Sequence, residues 1–281
     1  MERIHRFFKE NYRTLTKGEK KIAEYVIKNP KKVLVLSALD LGKEIGVSDA
    51  SVLRFTKTVG FNKYTDFRNY IASELTEMTP DDRLIKNWDS FHTKSEIANK
   101  IVNADLKNIQ EFLSNVDFKQ IDEAIEIIDK GKKIYSIGMG SSRSISQFLY
   151  WQLKRLGYNT EAINEGGLGL FETLSHSKKG DVVILFAFPR FLNDEIKAIK
   201  LAKERKIKTI LITSNIFSEI SFLSDVSFKV SVENNGFFNS YIVPMELCNI
   251  ILTALFEKNK NSLMIEWKEN SLIKDFLFAN D

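Results

Sequence analysis

"KKIYSIGMGSSRSISQF", Lys132 to Phe148, decides the fold of the larger part of this chain. The segment "KKIYSIG" reads as a strand, the segment "SRSISQFLYWQLKRLG" after it reads as a helix, and a Gly-x-Gly-Ser-Ser loop joins them. Gly138 and Gly140 allow a tight turn. Ser141, Ser142 and Ser144 add hydroxyls beside the N–H groups that the first turn of any helix leaves without intrahelical partners, and such an end attracts anions. The third glycine of a dinucleotide fingerprint is absent, and no Gly-Lys-Ser/Thr of a P-loop follows. The plainer role for the same serines is to cap the helix.

Moving outward, the same rhythm recurs. "NTEAI" reads as a short strand, "DVVILFAF" as a strand, "NDEIKAIKLAKERK" as a helix, and "KTILIT" and "SDVSFKVSV" as strands. Short apolar strands separated by helices of ten to fifteen residues imply a parallel sheet covered on both faces. A helix from about Tyr241 to Lys258, apolar nearly all round, reads as core or subunit interface, and a final helical tail comes after it. Ahead of the first strand, Glu96–Ser114 and Phe118–Asp129 read as helices, with Ser95 and Asp117 as N-caps and Gly131 as the stop.

Loops at the carboxyl ends of parallel strands converge on one crevice. Besides Gly138–Ser142, the candidates there are Thr213 and Ser214 of "LITSNIFSEI", and Arg190. Pro189 has no N–H to donate, so the preceding strand stops before it. Arg190 is thereby placed to offer a bidentate guanidinium to a phosphate or carboxylate, or to pair with Asp194 or Glu195.

Residues 17 to 73 carry no strand pattern. Four short helices are expected, from "TKGEKKIAEYVIKN", "SALDLGKEIG", "VSDASVLRFTKTVG" and "YTDFRNYIASEL", the first ended by Asn29-Pro30. The middle two have helix-turn-helix spacing. Ser37 caps a helix with inward Leu41 and Ile45, Gly42 lies where a second helix crosses, Gly46 supplies a left-handed turn and Val47 plugs it. Ser48 caps the next helix, which Val52, Phe55 and Val59 hold down, and Gly60 ends it. The outward face offers Ser48, Asp49, Ser51, Arg54 and Lys57, short polar groups for base edges followed by cations for guanine or phosphate. Lys63, Tyr64 and Arg68 are candidates for the DNA backbone. The bland alternative is a helical hairpin with a solvated face.

Charge favours the DNA reading. Residues 1–80 hold 15 Lys+Arg against 10 Asp+Glu, net +5, whereas the remainder holds 26 against 27, net −1. The polar, Pro80-bearing stretch "TEMTPDDRLIKNWDS" is the linker. The domains are therefore expected at 1–76 (DNA-binding), 77–95 (linker) and 96–281. A single cysteine, Cys248, excludes an internal disulfide, and three dispersed histidines give no metal-ligand spacing. No cofactor is implied. Neither a membrane-length apolar run nor a secretory leader is visible, so a cytoplasmic protein is expected.

These blocks resemble the RpiR/MurR-type transcriptional regulators. "LTKGEKKIAEYVIKNP", "LGKEIGVSDASVLRFTKTVGF" and "YTDFRNYIASEL" are similar to their helix-turn-helix domain. "IGMGSSRSISQFLYWQLKRLG", "DVVILFAFPRF", "ILIT" and "FFNSYIVPMELCNIILTAL" are similar to their SIS (sugar isomerase) domain. The resemblance implies an all-α helix-turn-helix domain followed by an α/β SIS domain with a five-stranded parallel sheet between helices. It also implies a double-stranded DNA operator, a phosphosugar effector and a homodimer or homotetramer. Gly138, Gly140, Ser141 and Ser142 match the first phosphate loop. Two positions depart from the SIS pattern: Phe186–Phe191 replaces a Ser-x-Ser-Gly-x-Thr turn, close to a Phe-Pro-Arg-Tyr variant with Phe191 for the tyrosine, and Ser214 stands where an aspartate is usual.

An SIS-fold isomerase or lyase is the alternative function. It needs an acid–base pair, and among Glu165, Glu172, His176, Asp194 and Glu195 no spacing identifies one. A dimerising scaffold that has lost its ligand is a third possibility.

Overall fold

The computed structural model describes residues 15–75, 83, 85, 93–189, 191–216 and 218–269. The first helices are α1 (Lys17–Lys28), α2 (Pro30–Val35), α3 (Ala38–Ile45), α4 (Asp49–Thr58) and α5 (Tyr64–Leu75). The four-helix expectation missed α2. Pro30 ends one helix and opens the next, because the first position of a helix needs no N–H donor. α1 starts on a reciprocal capping box between Thr16 and Glu19.

Ile22, Ala23, Val26, Val33, Leu41, Val52, Phe55, Phe67 and Ile71 form a fully buried core for these helices. Phe55 and Phe67 meet edge to face at 6.0 Å. Ile216, only 1% exposed, joins the same cluster from the other half of the chain, with half-buried Phe222 beside it. The helical domain is thus seated against the α/β domain at the segment just after Thr213 and Ser214.

The second part begins with α6 (Lys94–Asn115) and α7 (Phe118–Asp129). The N-cap of α6 is Thr93, not Ser95: Thr93 and Glu96 bond each other's backbone N–H reciprocally, and that pairing fixes the start. Asp117 caps α7 as expected. Next come β1 (Ile134–Gly138), a 3₁₀ turn (Gly140–Ser142), α8 (Arg143–Arg155), β2 (Thr160–Ile163), α9 (Leu168–Ser175), β3 (Val182–Phe186), α10 (Asn193–Glu204), β4 (Lys208–Thr213), α11 (Glu219–Leu223), β5 (Val226–Lys229) and α12 (Ile242–Glu269). The short helices α9 and α11 carry too little periodicity to be read from sequence. α12 runs past Lys258, and the remainder of the expected helical tail, residues 270–281, lies outside the described residues.

All five strands are parallel, in the order β2-β1-β3-β4-β5. Alternation along β3 shows how both faces are covered. Val182, Ile184 and Phe186 pack with α7, α8 and α12, while Val183, Leu185 and Ala187 pack with α9 and α10. The order reverses between β1 and β3, which is where such a sheet opens its crevice. The loops after Gly138 and Phe186 flank that point.

Candidate functional site

The helix-turn-helix is built as its spacing requires. Gly46 has φ 75° in the left-handed region. A Cβ on Gly42 would lie 2.8 Å from the Val47 carbonyl oxygen and 3.2 Å from the Asp49 nitrogen, so only glycine lets α3 and α4 cross here. Ile45 and Val47 pack half-buried against the core. The Ser48 hydroxyl accepts from the Ser51 N–H at 3.2 Å and lies 2.8 Å from the Ser51 hydroxyl, which in turn accepts from Arg54 Nη2 at 3.3 Å. Ser48, Asp49, Arg54, Lys57 and Lys63 are exposed and Ser51 is half-buried. The outer face of α4 therefore carries a preformed row of polar groups at its N-terminal end and two cations further along.

Tyr64 and Arg68 are half-buried and bond within the helical domain. The Tyr64 hydroxyl donates to the Leu36 carbonyl at 3.2 Å. Burial pushes that phenol up to about 12, with nearby Arg68 pulling the other way. Arg68 Nη1 donates to the Leu34 and Leu36 carbonyls at 3.3 and 3.4 Å, and its guanidinium lies 5.7 Å from the Tyr64 ring centre. Both side chains tie α5 to the carbonyl end of α2. The sequence could not reveal this, because α2 itself was not legible.

At the crevice, close packing sets the loop. Ser136 and Ser146 exchange hydroxyl-to-carbonyl bonds of 2.9 Å, drawing α8 onto β1. A Cβ on Gly138 would fall 2.5 Å from the Ser142 carbonyl oxygen and 2.8 Å from Ser146 Cβ. Gly140, at φ 58°, faces open space. Ser142 is 6% exposed and makes no side-chain cap, whereas Ser141 is exposed and its hydroxyl lies 2.7 Å from the Tyr241 hydroxyl. Exposed Arg143, whose Nε donates to the Gly140 carbonyl at 3.1 Å, adds a cation beside the loop. Neither Arg143 nor Tyr241 stood out as a site residue in sequence. Arg143 is one cation among many, and Tyr241 is brought in by the fold from the start of α12.

The remaining candidates divide. Thr213 is fully buried, and its hydroxyl accepts from the Asn215 N–H at 3.2 Å. Ser214 is 3% exposed. Arg190 lies outside the described residues. At the end of β3, Phe188 is 7% exposed, with its ring 5.6 Å from that of Tyr241. Aromatic surface therefore occupies the mouth of β3.

Among the carboxylates, Asp194 Oδ2 accepts from the Gly167 N–H at 2.8 Å and leaves no room for a side chain on Gly166. Glu195 is 4% exposed and accepts from the Leu192 N–H at 2.8 Å. Burial raises its carboxyl to about 7 against the opposing pull of that N–H. Glu165, Glu172 and His176 are exposed. No group of three His, Cys, Asp or Glu suited to a metal occurs among the described residues, and no helix among them is long and apolar enough to cross a membrane.

A helix-turn-helix with an exposed polar reading face, joined to a doubly wound sheet whose glycine-serine loop opens at the switch point, defines a ligand-responsive DNA-binding regulator as the class. Residues 4–78 match the helix-turn-helix domain of the rpiR family, and residues 126–254 match the SIS domain. The two matches lie in the order helix-turn-helix then SIS and together span most of the chain. A Haemophilus influenzae HTH-type transcriptional regulator is 26% identical over 216 residues, covering 76% of this chain and 75% of that one. Among solved structures, the sugar isomerase domain of an RpiR transcription factor from Sphaerobacter thermophilus aligns with TM-score 0.60 at 24% identity, over 62% of this chain and 97% of that one. The Vibrio vulnificus NanR protein complexed with ManNAc-6P aligns with TM-score 0.58 at 21% identity, over 99% of both chains.

Proposed function

We propose that this protein reads a double-stranded DNA operator with α4 and that a phosphosugar bound at the β1–β3 crevice changes its affinity for that operator. The observation that carries the reading is the row Ser48, Asp49, Ser51, Arg54 and Lys57, exposed apart from half-buried Ser51, on a helix whose crossing with α3 only glycine permits. Such a row at the N-terminal end of a recognition helix meets base edges, and Lys63 beyond it meets phosphate. Tyr64 and Arg68 act indirectly, by fixing α5.

Gly138, Gly140, Ser141 and Ser142 form the anion cradle, with Arg143 contributing charge and Arg190 reserved as a second cationic contact. Thr213 and Ser214 shape the neighbouring loop from within. The whole-chain likeness to a regulator complexed with ManNAc-6P supports a sugar phosphate as the effector class. The division at 1–76, 77–95 and 96–281 belongs to the same reading, as does a cytoplasmic homodimer or homotetramer. A groove of about 460 Å³ between α8 and α12, lined by Phe148, Leu156, Leu252 and Phe256, supports self-association away from the crevice.

The protein acts as a sensor rather than an enzyme. Two of the candidate carboxylates hold backbone N–H groups, Asp194 at Gly167 and Glu195 at Leu192. The test is to select an operator from random duplexes, measure affinity with and without a panel of sugar phosphates, and assay the panel for isomerisation. Arg54→Ala is expected to cost about 1–3 kcal/mol of operator affinity and to relax preference at one base position. Enzyme-like turnover without selective DNA binding would overturn the reading in favour of an SIS isomerase or lyase.

A further inference from the structure

One tyrosine ties the anion loop to the segment that joins the two domains. Tyr241 immediately precedes α12, its hydroxyl lies 2.7 Å from that of Ser141, and its ring leans on Phe188. The chain leading to it is held firmly. Asn108 of α6 donates to the Glu233 carbonyl at 2.7 Å and accepts from the Ser231 hydroxyl at 2.8 Å, and Asn235 donates to the Lys100 carbonyl at 2.9 Å. The Ser240 N–H donates to the Val232 carbonyl at 3.1 Å.

Two residues before Tyr241, the Asn239 side-chain oxygen accepts from the guanidinium of Arg83. Arg83 belongs to the stretch between α5 and α6, yet it is 4% exposed. An arginine so deeply buried is costly unless its position is fixed by its partners. A continuous covalent and hydrogen-bonded path therefore runs from the Ser141 hydroxyl through Tyr241 and Asn239 to Arg83, which lies in sequence between the two domains.

We propose that this path carries the effector signal, with Tyr241 as the positioning residue that senses occupancy of the β1 loop. The inference rests on the sensor reading above. Either hydroxyl is able to donate in the Ser141–Tyr241 pair. A hydroxyl has one proton, and a charge-assisted bond to a phosphate oxygen is roughly twice as strong as a neutral one. An anion in the loop therefore claims the Ser141 proton. Tyr241 must then become the donor to Ser141 or turn to the anion itself. Both changes act on the segment that holds Arg83.

The test uses the full chain, its selected operator and four probes: glucose 6-phosphate, fructose 6-phosphate, N-acetylmannosamine 6-phosphate and arabinose 5-phosphate. Binding of each probe and its effect on operator affinity are measured separately for wild type, Tyr241→Phe, Arg83→Gln and Asn239→Ala. In wild type at least one probe is expected to change operator affinity by about 5-fold or more, within the range of allosteric couplings. Arg83→Gln and Asn239→Ala, both outside the cradle, should bind that probe within about 2-fold of wild type while the response falls below about 2-fold, against the coupling range just cited. Tyr241→Phe keeps the ring against Phe188 and should lose the response likewise. Combining Arg83→Gln with Asn239→Ala should lose no more than either alone, since they break one contact.

A wild-type response that persists undiminished in Tyr241→Phe and Asn239→Ala overturns the path and leaves the sensor intact. No wild-type response to any probe counts against the sensor reading and takes the path with it. If Arg83→Gln fails to fold, Asn239→Ala decides, because it removes the acceptor and leaves the arginine in place.

Discussion

The two functional ends of this molecule are prepared in opposite ways. On α4, Ser48, Asp49, Arg54 and Lys57 are exposed, and the Ser48, Ser51 and Arg54 side chains bond one another in a short row. At the crevice, the polar groups are already spoken for: Ser141 by Tyr241, Thr213 by Asn215 and Asp194 by Gly167. A DNA-reading face works best preformed, since any rearrangement on binding subtracts from affinity. A sensor gains from the reverse arrangement. A ligand shifts an equilibrium only by interacting differently with two states, and groups that must exchange partners supply that difference.

The largest expected effect tests the crevice side of this contrast. Gly138→Ala would press a methyl group onto the Ser142 carbonyl and Ser146, and should destabilise the α/β domain by about 3 kcal/mol, the upper end of overpacking costs. Denaturant unfolding measures it, and operator binding by the folded fraction should be retained if the two ends are built separately. A normal midpoint would mean that α8 is able to back away from β1, and that the cradle is looser than its packing indicates.

Next comes pH. Glu195 has a carboxyl raised by burial to about 7, so between pH 4.5 and 7 the folded chain binds more protons than the unfolded one. Its contribution is complete below the unfolded value and is lost as pH rises through the folded one. Relative to Glu195→Gln, wild type should lose about 2–3 kcal/mol of stability between pH 4 and pH 8. Thermal melts of both proteins across that range provide the check, and parallel curves would show that the carboxylate is solvated.

The smallest effect sharpens the DNA side. Arg68→Ala should cost about 2 kcal/mol of stability, because it strips a charged donor from the carbonyls of α2, and leave the salt dependence of operator binding unchanged. Lys57→Ala should do the opposite, with little loss of stability and a salt slope shallower by about 0.9. A changed slope in Arg68→Ala would return that arginine to the DNA contact set.

Chemistry that repeats at short range is legible in the order of residues. The left-handed Gly46, the caps at Ser37, Ser48 and Asp117, and the strand cores all come from spacing, because turns, caps and alternating burial each obey a period of a few residues. The glycine-serine loop after β1 is legible for the same reason. Where signals compete at short range, the reading slips. Pro30 looks like a stop and is also a start, and Ser95 looks like a cap beside the better-paired Thr93.

The sequence by itself determined that a helical DNA-reading unit precedes a parallel α/β unit, and where the glycines and serines of each must lie. Only the tertiary structure decided that Tyr241 closes on Ser141, that Arg83 is buried against Asn239, that Arg68 bonds the carbonyls at the end of α2, and that Ile216 belongs to the core of the other domain. The reason is physical. These contacts join residues far apart in the chain, and their geometry comes from how whole layers stack, which no local pattern of polar and apolar residues encodes.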